Sequence, residues 1–167
     1  MTLSVKKIGI IGLGLIGGSI ARALKRNGKS YIIKAWDRDI KNLEPGLKEK
    51  VLDECSLSLK EDFSDCEVIF LCVPVFAMRS ILEELLPGIS PESVLTDVGS
   101  TKSDVLALIK DMNVKNPFIG GHPLAGSEKS GFAASRANLF ENAYYCLTPD
   151  ENTDKNSLIK LKSIVLD

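Results

Sequence analysis

His122 is the only histidine in the 167 residues. It stands in Gly120-Gly121-His122-Pro123-Leu124-Ala125-Gly126-Ser127-Glu128-Lys129-Ser130-Gly131, a run that reads as a loop by composition. A lone histidine is most often structural. This one shares a glycine-flanked polar segment with a carboxylate, an ammonium and two hydroxyls, placed after a strand where side chains reach a ligand. Imidazole serves as acid or base near neutral pH. A second segment, Thr96-Asp97-Val98-Gly99-Ser100-Thr101-Lys102, offers backbone free of a Cβ at Gly99 and a hydroxyl at Ser100. Ser100 is equally suited to cap a helix over Thr101–Met112, and the two roles are compatible.

The third segment is Gly12-Leu13-Gly14-Leu15-Ile16-Gly17, a GxGxxG run after a strand and opening a helix. Asp37 follows Gly17 by 20 residues, at the end of a second strand. The glycines alone are weak evidence; with the strand, the helix and the acid they read as a dinucleotide site. Gly12 permits the tight turn, Gly14 the approach of a pyrophosphate, and Gly17 close helix–strand packing. Leu15 and Ile16 complete the cofactor-facing turn, whose N–H groups and positive dipole end face the phosphates. Asp37 accepts from the adenosine ribose hydroxyls and repels a 2′-phosphate, which favours NAD over NADP. Arg38 beside it pairs with a phosphate, stacks on adenine or is simply solvated. Val73-Pro74-Val75 forms an apolar wall beside the cofactor or a plain strand stop. A glycine turn used only for packing and an FAD site are the alternatives at the loop; no flavin-specific feature is present.

These residues need elements to position them. Strands are expected at Lys7–Gly12, Tyr31–Asp37, Cys55–Leu59 (weak), Glu67–Val73, Ser93–Asp97, Phe118–Gly120 and Tyr144–Leu147. Helices are expected at Leu15–Asn27 with Gly28 at C′, Asp39–Lys50 disturbed near Pro45-Gly46, Phe76–Leu86, Thr101–Met112 and Lys155–Ser163. Ile164–Leu166 reads as the start of a further element. Glu67–Val73 is apolar without alternation, as in a strand covered on both faces. Alternating strand and helix predicts an α/β fold of the Rossmann type, a parallel sheet with helices on both faces. Residues 1–167 form one dinucleotide-binding domain, and the ending without turn residues or a polar tail reads as a piece of a longer protein.

Composition sets the outer bounds. Hydrophobic residues make up 44%, enough for a core, and the net charge of −1 implies no basic face for nucleic acid. Cys55, Cys66, Cys72 and Cys146 form no CxxC pair and have one histidine to join them, so no metal site is expected. Cys72 and Cys146 lie in apolar runs and read as buried free thiols, a usage that fits a reducing cytoplasm. Lys6 and Lys7 before Ile8–Ala21 mimic a signal peptide, yet the stretch is too short for a span and is broken by glycines, so no membrane partner is expected.

In order, GLGLIGGS, DVGSTK and GGHPLAGSEKSG resemble the prephenate dehydrogenases over about Lys7 to Pro149. GxGxxG is shared by many dehydrogenases; the third motif is the specific one. The resemblance implies oxidative decarboxylation of prephenate with NAD or NADP to 4-hydroxyphenylpyruvate, in tyrosine synthesis. It implies His122 as the catalytic histidine on the ring hydroxyl, Ser100 as the serine orienting both, and Ser127 and Glu128 facing the substrate. An arogenate-preferring enzyme is the close alternative, and a non-catalytic dinucleotide module the distant one; the latter has no need of His122, Ser100 or Glu128. The family's helical domain, which makes a homodimer and supplies cations to the pocket, has no counterpart in these residues. Few cations stand near the pocket, chiefly Lys129 and then Lys102.

Overall fold

The computed structural model describes residues 6–60 and 62–167. Five strands form one sheet: β1 (Lys7–Ile11), β2 (Ile32–Trp36), β3 (Glu54–Cys55), β4 (Val68–Leu71) and β5 (Val94–Asp97). Their order is β3-β2-β1-β4-β5 and every neighbouring pair is parallel. The chain leaves β1 toward β2 on one side and returns to β4 on the other. The crevice beyond the carboxyl ends of β1 and β4 is therefore the topological switch point, where open α/β sheets bind ligands.

Both faces are covered, as the apolar runs require. Ile8 and Ile10 of β1 and Val68 and Phe70 of β4 pack with Ile20 and Leu24 of α1 (Leu15–Arg26) and Leu161 and Ile164 of α5 (Lys155–Val165). Ile11, Ile69 and Leu71 point the other way, against Met78, Leu82 and Leu85 of α3 (Val75–Leu85) and Val105 of α4 (Ser103–Asp111). The period-two alternation of each strand thus feeds two cores. Burying one such aliphatic or aromatic side chain contributes about 1.5–3 kcal/mol.

Several boundaries differ from expectation. A 3-10 turn at Ile40–Asn42, capped by Asp39, leads into α2 (Leu43–Lys48), which runs through Pro45-Gly46 undisturbed. Pro45 sits in the first turn, where its missing N–H costs nothing. The weak strand at Cys55–Leu59 shrinks to Glu54–Cys55, because the Ser56 hydroxyl bonds to the Ser58 carbonyl and the Asp62 carboxylate and turns the chain. Ile164 and Val165 extend α5 rather than beginning a new element.

The largest difference lies at the His122 segment. It is a strand, β6 (Gly120–Pro123), paired antiparallel with β7 (Tyr145–Thr148) in a separate two-stranded ribbon. A single parallel bridge, Leu95 to Phe118, hooks this ribbon onto the main sheet. Tyr145 and Leu147 turn inward while Cys146 and Thr148 face out, so Cys146 is exposed rather than buried. No helix among the described residues is long and apolar enough to cross a membrane.

Candidate active site

The glycine loop joins β1 to α1 at the switch point. Gly12 has φ +95°, and a Cβ there would strike the Cys72 carbonyl oxygen at the end of β4, so the turn requires glycine. A Cβ on Gly17 would collide with the Gly12 carbonyl and meet Ile10 at 3.0 Å, which lets α1 lie against the strand. A Cβ on Gly14 would meet nothing within 4 Å, so open space lies above the loop there. Gly14 is also the N-cap of α1, with no side chain capping the helix and no acid in its first turn. The free N–H groups around Leu15, Ile16 and Gly17 are left for an anion.

Asp37 follows β2 and reaches back to this loop. Its Oδ2 accepts from the Leu13 N–H at 2.6 Å, and its Oδ1 accepts from the Asp39 N–H at 2.8 Å and the Asn42 amide at 3.1 Å. Three donors lock the carboxylate beside the phosphate turn. Acceptor capacity remains, since an ionised carboxylate offers about four lone-pair sites. Arg38 is exposed, Val73 half-buried and Pro74 exposed just beyond β4. The Cβ-free loop, the uncapped helix end and the anchored acid fit a dinucleotide.

Beyond β5 the chain passes through Gly99 and the exposed Ser100 before α4 begins at Ser103. The helix starts two residues later than expected, with Lys102 at its N-cap, so Ser100 is not the cap and its hydroxyl is free of that duty. His122 is half-buried on β6 and Ser127, Glu128 and Lys129 are exposed on the segment that follows. Among the described residues Ser127 and Glu128 make no hydrogen bond to His122; the Ser127 hydroxyl accepts from the Lys129 N–H. The bridge beside β5 thus sets β6, with His122, next to the chain that carries Ser100, while Ser127 and Glu128 stand open to solvent.

Asp97 is the residue that sequence reasoning passed over. It is fully buried at the end of β5. Oδ1 accepts from the Gly121 N–H at 3.2 Å; Oδ2 accepts from the Gly99 N–H at 2.9 Å and pairs with the Lys102 ammonium. Lys102 also donates to the Gly121 carbonyl at 2.8 Å, so it is spent inside the protein rather than free for a substrate. The signal available in the sequence was an acid ending a strand with a lysine five residues on. Burial, then the Asp97 charge, pushes the neighbouring Cys72 thiol up, so it stays neutral and inert.

Comparison with known proteins identifies the family. Residues 20–167 match the family model described as prephenate dehydrogenase, nucleotide-binding domain. The chain is 40% identical over 158 residues to the prephenate dehydrogenase of Bacillus subtilis, covering 93% of this chain and 43% of that protein. It superposes with a TM-score of 0.88 on the Aquifex aeolicus prephenate dehydrogenase solved with hydroxyphenyl propionate and NAD+, at 35% identity, covering 98% of this chain and 57% of that one. It superposes equally, at 0.88 and 37% identity, on Synechocystis arogenate dehydrogenase, covering 96% and 56%. The chain spans about half the length of the relatives it matches. With its fold, its glycine loop and its His122 strand all in place, the chain belongs to the family of prephenate dehydrogenase nucleotide-binding domains.

Proposed function

We propose that this chain binds NAD at the switch point and serves the oxidation of prephenate to 4-hydroxyphenylpyruvate and carbon dioxide, a step of tyrosine synthesis. The observation that carries the reading is the placement of Ser100 and His122 at the same sheet edge as the Gly12–Gly17 loop and Asp37. NAD, when bound, supplies the hydride acceptor. The loop amides hold its phosphates and Asp37 its adenosine ribose. Residues 1–167 act as one dinucleotide-binding domain in this reading.

At the reacting end His122 accepts the proton of the ring hydroxyl as the carbonyl forms, and Ser100 orients the hydroxyl toward the imidazole. Loss of carbon dioxide then leaves its electron pair in the ring, which becomes aromatic, and the proton returns to the phenolate oxygen. The driving force lies in the substrate; the protein supplies alignment and a base. Ser127 and Glu128 face the substrate from the 124–131 segment. Arogenate is the second reading, favoured by the likeness to the Synechocystis enzyme.

Calorimetric titration tests the cofactor. NAD should bind more tightly than NADP, and Asp37→Ser should narrow the gap by removing the repulsion; equal or reversed affinities in the wild-type chain overturn the assignment. NADH absorbance in the full-length protein, with prephenate and arogenate in parallel, tests the reaction. Turnover of neither would refute it.

A further inference from the structure

The two glycines before His122 have a physical reason that the base assignment does not use. A Cβ on Gly121 would meet the Asp97 carbonyl oxygen at 2.6 Å and the Thr96 hydroxyl at 2.9 Å; one on Gly120 would meet the Lys102 side chain at 2.9 Å and crowd the Thr148 hydroxyl. β6 is pressed onto the Asp97–Lys102 pair, and only glycine permits that approach. The pair then takes hold of Gly121 at both polar groups, its N–H by the Asp97 carboxylate and its C=O by the Lys102 ammonium. The other carboxylate oxygen holds the Gly99 N–H. Gly99 precedes Ser100 and Gly121 precedes His122. One buried ion pair thus joins the residue before the serine to the residue before the histidine, across segments otherwise paired by the Leu95–Phe118 bridge. An ion pair of this kind is a weak source of stability, because removing both charges from water offsets their attraction. Its value lies in geometry.

We propose that Asp97 and Lys102 are positioning residues that set the spacing and orientation of Ser100 and His122, so that hydroxyl and imidazole address one ring hydroxyl. The proposal rests on the reading of His122 as the base. It also assigns Lys102 to the scaffold, leaving substrate carboxylates to other cations.

The sole histidine makes the test direct, because the imidazole carbon-bound proton signals in an NMR spectrum belong to His122 alone. In the wild-type chain the Gly99 and Gly121 amides should exchange with solvent far more slowly than those of residues 125–131. In Asp97→Asn and Lys102→Met the His122 signals should shift and broaden while NAD affinity, read by calorimetry, stays within a few-fold. Prephenate turnover in the full-length protein should fall about 10²-fold in kcat, the scale of an ångström-sized misplacement. Lys102→Arg should recover most of the His122 signal position. Unchanged His122 signals and kcat in folded Asp97→Asn and Lys102→Met overturn the proposal. If those variants fail to fold, fast exchange of Gly99 and Gly121 in the wild type overturns it, and slow exchange together with the Lys102→Arg result supports it. A protein without prephenate turnover would refute the base assignment alone, since exchange and the His122 signals report on the clamp without chemistry.

Discussion

His122 works from a strand, and that changes what its neighbours do. On β6 its backbone is fixed on both sides, by the ladder to Cys146 and by the hold on Gly121. In the proposed reading the imidazole meets the substrate from a rigid base, while residues 125–131 form a polar, largely exposed flap. His122→Asn keeps a side chain of similar reach but cannot take a proton. In the full-length protein it should lower kcat by roughly 10²–10⁴-fold with NAD affinity nearly unchanged, the usual worth of general acid–base catalysis. A loss below tenfold would remove the base role. Ser100→Ala should cost less, because it deletes an orienting hydrogen bond rather than the proton acceptor. The geometry of the glycine loop was legible residue by residue because its reasons are local: Gly12 needs its φ, Gly17 its close packing, and Asp37, 20 residues on, bonds back to the loop. Asp97 was only half legible: Lys102 lies five residues on, but the contact that gives the pair its place, to Gly121, spans 24 residues.

At the scale of elements, the parallel strands and their helices followed from apolar runs and caps, since each buried its own pattern. The ribbon β6–β7 did not. Gly-Gly-His-Pro has poor strand propensity, and it becomes a strand only through β7 and the Asp97–Lys102 pair beneath it. The opposite edge of the fold is held by charge. Lys7 on β1 bonds Glu54 on β3 at 2.8 Å and Asp65 at 2.6 Å, and Lys34 on β2 adds a contact to Glu54 at 3.3 Å. The Lys7 hydrogen bond holds the Glu54 carboxyl below its ordinary value of 4.5; burial opposes this and Lys34 reinforces it. A carboxylate with a lowered folded pKa stabilises the fold above the ordinary value and loses that contribution as pH falls through the folded one. Glu54 is 40% exposed, so the contribution is small, about 0.5–1 kcal/mol after solvent screening. Urea unfolding at pH 7 should show Glu54→Gln less stable than wild type by that amount, and the difference should shrink as pH falls below the ordinary value of 4.5 and through the lowered folded one. A gap of equal size across that range would assign the loss to packing instead of charge.

The whole molecule pairs a crevice whose glycine loop and Asp37 fit a dinucleotide with an open face beside His122. The glycine loop, Asp37 and the ends of β1, β4 and β5 all lie within one sheet edge. On the His122 side, Leu124 and Tyr144 continue the ribbon as a bonded cross-strand pair, yet they are 50% and 82% exposed. Prephenate carries two carboxylates. Lys102, which composition offered as a partner for one of them, is bound to Asp97, and Lys129 is solvated on the flap. A substrate here would be met by the imidazole and the serine hydroxyl while its carboxylates stayed in water. Orientation contributes about 7–11 kcal/mol to lowering a barrier, and much of that is lost when one end of the substrate is free to turn. The 167-residue chain spans 43% and 47% of two curated prephenate dehydrogenases, from Bacillus subtilis and Lactococcus lactis. These residues alone should therefore bind NAD, seen as saturable heat in calorimetry, and give no measurable NADH with saturating prephenate. Turnover by the purified 167-residue chain at ordinary enzyme rates would show that His122, Ser100 and the flap suffice to align the substrate. NAD binding without turnover would place the missing alignment in cations that these residues do not supply.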